Sequence, residues 1–453
     1  MELSERKNEI IGLGEKLLTK LLDKGVDSVA VLIDSHISRQ VRFAVNQIVA
    51  TKTWDETNIG VMIDKDRKVV VFEIGLASLS DIDEISNQLM MYIKNVPPRE
   101  DYAPLPEPSM KYPGLKDNWD ENILKNPEMH VNLAFDVIDS GKKAGAKRMA
   151  GTLLSKAMFL CLITSNGSKL TQESTQVYLD VRAFMDKEST GHASIAGTKL
   201  SQINASKVAE EAASTAKLSQ KCQTIDPGRY DTFFTYDATA ALLNLIGGAT
   251  SAFAVETGQS FFIKKLHTSV APEIVNLKDD PLFPGAYNSR AFDDEGSPTR
   301  ANELIVSGEL KTYLHNRFTA KKFGSELTGN AGWISPRAWN LVLEPGDRSI
   351  NEMIENIRNG LVIHNVTYIR FQNYMAGDFS GIIRDGVFLV KNGEITAAVR
   401  GLRLSDNTLR MLSNIIAVGK ERRQIFHWWL ERDIPVLTAP IIVKDVNYTK
   451  AVK

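Results

Sequence analysis

ATAALLNLIGGATSAFAV, residues 238–255, carries no charged side chain over about the length that crosses a bilayer core. Its reading decides the fold class, because a membrane span and a buried helix lead to different proteins. Asn244, Thr250, Ser251 and two glycines dilute the run, and Asp237 and Glu256 flank it where Lys or Arg would anchor a span. It therefore reads as one helix buried against a sheet in a water-soluble fold.

On the N-terminal side, Asp226-Pro227-Gly228 breaks the chain before a strand at Tyr230–Tyr236, and the main domain boundary is expected there. Before it lies a helix over Ala205–Ser219, preceded by two strands that meet at Asn166-Gly167, a dipeptide suited to tight hairpins. A helix is expected near Met129–Ala144. Six prolines between Pro97 and Pro113 make an extended connector, about residues 97–116. The first 95 or so residues read as α-β-β-β-β-α. A helix is stopped by Gly25, strands start at Val29 and Val41, a hairpin turns at Asp64–Arg67, and a helix covers Ser80–Val96.

On the C-terminal side the chain becomes mainly β. Hairpin turns recur at Ser307-Gly308 and Asn392-Gly393, helices are expected at Ile350–Arg358 and Asp406–Val418, and APIIVKDV reads as a last strand. Strands and helices do not alternate regularly, so the fold class is α+β in two domains. Residues 1–225 form an N-terminal α/β sandwich-like module, and residues 226–453 a β-rich C-terminal domain.

Composition narrows the function. Lys and Arg number 54 against 55 Asp and Glu, so no net field draws the chain to nucleic acid or anionic lipid. Two cysteines, Cys161 and Cys222, fit a reducing cytoplasm, and MELSERKNEI lacks the apolar core of a signal peptide. A cytoplasmic protein with no membrane span is expected.

Local motifs for chemistry are sparse. The histidines are His36, His130, His192, His267, His315, His364 and His427, and no two stand four apart, so the zincin helix is absent. His427 and Glu431 are four apart in KERRQIFHWWLER, an expected helix whose neighbouring Trp428 and Trp429 point to ordinary packing. Neither cysteine sits in a Cys-x-x-Cys pair. Gly12-Leu13-Gly14-Glu15-Lys16 lacks phosphate-loop spacing, and the serine of Gly377-Asp378-Phe379-Ser380-Gly381 is one place late for a nucleophile elbow. The most unusual feature is Asp293-Asp294-Glu295-Gly296-Ser297-Pro298. Taken alone it reads as a solvated acidic turn, with a cation site or a row of acceptors for substrate amides as the alternatives.

Taken together, these segments resemble the TldD/PmbA metallopeptidase family. The resemblance runs through FDDEGSPT (292–299), ELIVSGELKTYLHNRFTAKKFG (303–324), Thr328-Gly329-Asn330, MAGDFSGIIRDGVFLVKNGEITAAVRGLRLSDN (375–407) and ITSNGSKLTQEST (163–175). In the family's catalytic TldD branch, a His-Glu-x-x-x-His helix precedes the acidic signature and a later cysteine completes a zinc site. Here that helix corresponds to LLNLIGGATSA, with Asn244, Leu245 and Ala249 at the three positions and no cysteine after Cys222. The resemblance is thus to the PmbA (TldE) type, which implies no catalytic and no metal-binding residue in this chain.

What it implies is a PmbA/TldD-like fold and a non-catalytic subunit that pairs with a zinc-bearing TldD-type paralogue. The pair would enclose a chamber in which unfolded peptides are cleaved. Asp293, Asp294, Glu295 and Asn330 are expected near the chamber wall, and the isolated chain is expected to form a homodimer. The alternatives are an autonomous peptidase with an unrecognised site and a regulatory binding protein, as in the family's older description as a modulator of DNA gyrase.

Overall fold

In Ser28–Ala44 the odd-numbered residues Val29, Val31 and Ile33 are apolar and buried, while Asp34, Ser38 and Gln40 alternate with them on the other face. That alternation makes a sheet with one greasy side, and the computed structural model builds its first layer on it. The structure describes residues 3–75, 81–109, 111–426 and 433–451.

The first sheet contains β1 (Ser28–Ala44), β2 (Gln47–Lys65), β3 (Lys68–Gly75), β4 (Arg148–Thr164), β5 (Lys169–Phe184) and β6 (Thr190–Gly197). All are antiparallel, in the order β3-β2-β1-β4-β5-β6. The strands expected at Val29 and Val41 are one strand. The polar residues between them include no Gly, Pro or Asn, and each side of that backbone pairs, with β2 and with β4. His36 is satisfied there by Asp34 at 3.0 Å and Glu56 at 3.2 Å, so polarity does not break the strand.

Helices α1 (Leu3–Asp23) and α2 (Asp81–Asn95) cover one half of the apolar face, packing Leu17, Leu21, Ile85 and Leu89 on β1 and β2. The proline-rich stretch after α2 has no helix or strand until α3 (Glu121–Lys125), a short helix capped by Asp120 that the sequence did not suggest. Helices α4 (Glu128–Lys143) and α5 (Ala205–Leu218) cover the other half, with Ala209, Ala212 and Ala213 allowing close approach. Among the described residues no helix layer covers the opposite, more polar face, although Leu105 and Phe292 pack on its apolar end at Ala30, Leu32, Met62, Leu160 and Leu162.

After α5 the chain forms β7 (Gln223–Thr224), β8 (Gly228–Phe234), α6 (Tyr236–Ala249), α7 (Ala252–Glu256), β9 (Leu277–Asp279), β10 (Asn302–Val306), β11 (Glu309–Leu310), α8 (Arg317–Phe323), β12 (Leu341–Leu343), α9 (Ile350–Glu355), β13 (Asn359–Asn373), β14 (Asp378–Lys391), β15 (Glu394–Arg400), β16 (Leu402–Asn407), α10 (Thr408–Ser413), β17 (Ile415–Val418), β18 (Arg423–Ile425), β19 (Val436–Thr438) and β20 (Ile441–Lys450). A second sheet runs β11-β10-β9-β12-β19-β18. In the third, the pairings β13–β8, β8–β20, β20–β16, β16–β14 and β14–β13 close a ring of five strands. Phe234, Leu361, Ile363, Phe379 and Leu404 join the core that α6 also enters.

Four expectations change here. The uncharged run is buried, but it is two helices. At Thr250–Ser251 the backbone leaves the helix to exchange hydrogen bonds with Leu314, and Ser251 Oγ binds the Pro336 carbonyl at 2.7 Å. The helix expected over Asp406–Val418 stops at Ser413, because Ile415–Val418 pairs with β20. The helix expected at Ile350–Arg358 ends at Glu355. Within KERRQIFHWWLER, Arg423–Ile425 is a strand beside β19, and His427 and Glu431 lie outside the described residues.

Candidate functional site

The acidic turn is not solvated: Asp293, Asp294 and Glu295 are each at most 2% exposed. Gly296 has φ of +90°, a conformation that glycine adopts freely, and it lets the turn fold back beneath its own carboxylates. Asp293 Oδ1 accepts from the amides of Glu295 (3.0 Å) and Ser297 (2.9 Å), and its Oδ2 from Ala331 (3.0 Å). Asp294 accepts from Arg290 at 2.8 Å, and that guanidinium lies 4.3 Å over the Trp339 ring. Glu295 accepts from the Arg317 amide at 3.0 Å. Its other oxygen lies 3.3 Å from Arg317 Nε, out of hydrogen-bonding alignment. Burial pushes Asp293 up to about 7 and Glu295 up to about 8.

Asn330 belongs to the same buried framework. It donates to Asp279 (2.6 Å) and to the Arg337 carbonyl (2.9 Å), and accepts from Asn302 (2.9 Å). Asp279, also raised to about 7 by burial, accepts from the Trp339 and Asn340 amides at 2.7 and 2.8 Å. These carboxylates replace missing ladder hydrogen bonds and hold irregular backbone in place.

That framework stands behind a cleft of about 1060 Å³. The bare face of the first sheet forms one wall, through Asp34, Asn58, Lys156 and Gln176. Helix α6 forms another, through Asn244, Gly247 and Gly248. The loop after Asn330 adds Trp333 and Arg337, with Trp333 packed against Gly60 of β2, where a Cβ would come within 2.4 Å of the indole nitrogen. Of the four residues expected near a chamber wall, Asp294 lines this cleft, whereas Asp293, Glu295 and Asn330 lie in the framework behind it.

Among the three positions on α6, only Asn244 faces the cleft, and its amide is fully engaged. Nδ2 donates to the Ala240 and Ile434 carbonyls, both at 3.0 Å, and Oδ1 accepts from the Ile434 amide at 2.9 Å. It thus clamps the chain just before β19 to the helix. Leu245 packs against the core and Ala249 is buried within it. These residues do not fit a zinc ion: the Asn244 amide is held by three hydrogen bonds and a neutral amide is not among zinc's usual ligands, and the other two side chains have no donor atom. Among the described residues, no three His, Cys, Asp or Glu side chains are grouped so as to hold a metal. No local pattern around Asn244 hints at the clamp, since Ile434 is 190 residues away.

Residues 227–450 match the family model of the PmbA/TldA metallopeptidase C-terminal domain. A metalloprotease of Methanothermobacter thermautotrophicus is 30% identical over 58% of this chain and 60% of its own length. A zinc metalloprotease TldD homolog of Saccharolobus solfataricus is 29% identical over 42% of the chain and 41% of its own. The chain spans about 35% to 60% of the length of the curated relatives it matches. In fold it is similar to crystalline TldE from Thermococcus kodakarensis, with a TM-score of 0.85 and 21% identity, covering 96% of this chain and 100% of that one. No helix of the described residues is long and apolar enough to cross a membrane.

Proposed function

The chain belongs to the PmbA/TldD metallopeptidase family through residues 227–450, and from that premise we propose that it is the zinc-free, TldE-like subunit of a two-subunit metalloprotease. Its cleft is one wall of the chamber in which a TldD-type partner, carrying zinc, cleaves unfolded polypeptide in the cytoplasm. The division at residue 226 belongs to the same reading. The N-terminal sheet supplies the polar wall, and the C-terminal part supplies α6 and the framework around Asp293.

One observation carries this reading. The helix at which the family resemblance puts a zinc-binding motif does border a large cleft, and there it presents Asn244, Gly247 and Gly248. Peptide hydrolysis on zinc needs three protein ligands, an open coordination position and a base. Asn244, Leu245 and Ala249 supply none, so this chain's contribution is to bind and orient polypeptide, which lowers the entropic part of the barrier.

The test compares casein or peptide cleavage by this chain, by a TldD-type partner and by the mixture, each with and without chelator. The mixture is expected to exceed the partner alone and to stop with chelator. Chelator-sensitive cleavage by the chain alone, in protein free of contaminating protease, would overturn the reading.

A further inference from the structure

Beyond the cleft, the bare face of the first sheet continues along β4 and β5 into a second hollow of about 800 Å³. Leu154 and Tyr178 line both hollows. From Gln172 in the first to Arg182 in the second is ten residues of one strand, roughly 33 Å at strand rise. An extended polypeptide following the strands passes over Tyr178 from one hollow to the other.

The two hollows differ in charge. Around the first, four carboxylates (Asp34, Glu73, Asp294 and Asp433) face three cations. Around the second stand three arginines from three strands, Arg42 of β1, Arg182 of β5 and Arg384 of β14, against one lining carboxylate, Asp180. Asp180 is occupied by His192 at 2.6 Å. Behind the wall, Asp385 accepts from Arg182 (2.7 Å), Thr190 (2.7 Å) and Asn365 (3.1 Å), and lies 3.2 Å from Arg384 Nε. One buried carboxylate thus fixes two guanidinium groups without cancelling both. Arg42 meets no carboxylate among the described residues. A fourth guanidinium, Arg148, lies 4.0 Å over the ring of Phe184 in the same wall.

Two hydroxyls in this wall, Thr152 Oγ1 and Thr367 Oγ1, are buried and make no hydrogen bond within the protein. A buried hydroxyl without a partner costs about 1–3 kcal/mol, so a site that keeps two beside three arginines is built for an acceptor. Carboxylate is the acceptor of an unmodified polypeptide that also carries the negative charge three arginines favour.

We propose that this arginine-lined hollow binds a carboxylate of the polypeptide held in the cleft, and so fixes its direction, with the carboxylate-bearing end at Arg42, Arg182 and Arg384. The inference rests on the polypeptide-binding reading and deepens it. The carboxylate is either the chain's C-terminus or an acidic side chain, the chemistry being the same.

Fluorescence anisotropy tests it with N-terminally labelled, unstructured decapeptides on the full chain. One is neutral with a free C-terminal carboxylate, one is the same peptide amidated, and one is amidated with an internal glutamate. Carboxylate peptides are expected to bind about tenfold more tightly than the neutral amide. Arg42→Ala, Arg384→Ala and Thr367→Val are expected to abolish that preference, bringing the carboxylate peptides down to the neutral amide's affinity for the same variant. Thr367→Val also removes an unsatisfied hydroxyl, so its melting temperature should hold or rise. A gain from the free C-terminus alone, or from glutamate as well, identifies the source, and either supports the site. Equal binding of all three peptides, or a preference that survives Arg42→Ala, overturns this inference and leaves the polypeptide-binding reading standing. Absence of binding by every peptide overturns both.

Discussion

Arg317 and Asp64 are joined by two parallel hydrogen bonds of 2.6 and 2.8 Å across 253 positions of sequence. Arg317 opens α8 and Asp64 ends β2, so the pair ties the first sheet to the framework of the acidic turn. The Arg317 amide also holds Glu295. Removing the guanidinium takes from the buried Asp64 carboxylate its bidentate partner, a loss of roughly 3–5 kcal/mol. Urea unfolding of Arg317→Met is expected to show that loss, and Arg317→Met with Asp64→Leu should recover part of it. A single variant as stable as the parent would show that this pair holds nothing together.

The pH dependence of stability has a definite sign. Asp279 and Asp293 at about 7, and Glu295 at about 8, lie above their values in an unfolded chain. Between about pH 5 and 8 the native state therefore binds more protons than the unfolded one, and stability falls as pH rises. Each group contributes a slope of up to about 1.4 kcal/mol per pH unit between its unfolded and folded values. Asp385, where burial is outweighed by Arg182 and its other partners, is held below the usual range, so its contribution is lost only in acid. Denaturant unfolding at a series of pH values should show the decline, and Glu295→Gln should flatten its upper part. Stability that climbs from pH 5 to 8 would contradict it.

Much of the local structure was legible because its causes are local. Asn166-Gly167, Ser307-Gly308 and Asn392-Gly393 turn hairpins where the sequence put them, since the turns need positive φ at Gly167, Ser307, Gly308, Asn392 and Gly393. The misreadings came from partners far along the chain. Ser35–Gln40 looks like a polar gap until β2 and β4 flank it, and Thr250 looks helical until Leu314 competes for its backbone. The acidic turn looks solvated because Arg290, Arg317 and the Ala331 amide, which accommodate it in the core, lie outside the motif. The arginine-lined hollow is illegible for the same reason: its three cations come from strands separated by more than a hundred residues.

Asn244 offers a direct test of the clamp. Asn244→Ala keeps the helix but removes three hydrogen bonds, two of them to Ile434. The Ile434 amide, protected in the parent, should exchange with solvent at least tenfold faster, at a global cost of about 1–3 kcal/mol. The triple variant Asn244→His, Leu245→Glu, Ala249→His loses the same clamp and drives polar groups into the core. Calorimetry is expected to show no tight zinc binding, because a third ligand and the hydrogen bonds that orient ligands are missing. Stoichiometric zinc on that variant would mean that the cleft retains a metal site these residues alone had hidden.

Gly247 and Gly248 are neighbours on α6, yet substitution should have opposite effects. A Cβ on Gly247 would lie 2.6 Å from Leu341 Cδ1 and 3.0 Å from Ile434 Cδ1, inside a close-packed core. Gly247→Ala should therefore cost about 1–3 kcal/mol through overpacking. A Cβ on Gly248 meets nothing within 4 Å and points to the cleft. Replacing that glycine improves helix propensity by about 0.5–1 kcal/mol, so Gly248→Leu should melt no lower than the parent. Gly248→Trp should fold equally well while filling the cleft beside Asn244. If polypeptide lies in this cleft, Gly248→Trp will weaken its binding and reduce the stimulation of a TldD-type partner, whereas Gly248→Ala will leave both unchanged. Thermal melts and the mixed-subunit cleavage assay give the two readouts. A folded Gly248→Trp that stimulates like the parent would place the polypeptide elsewhere on the molecule.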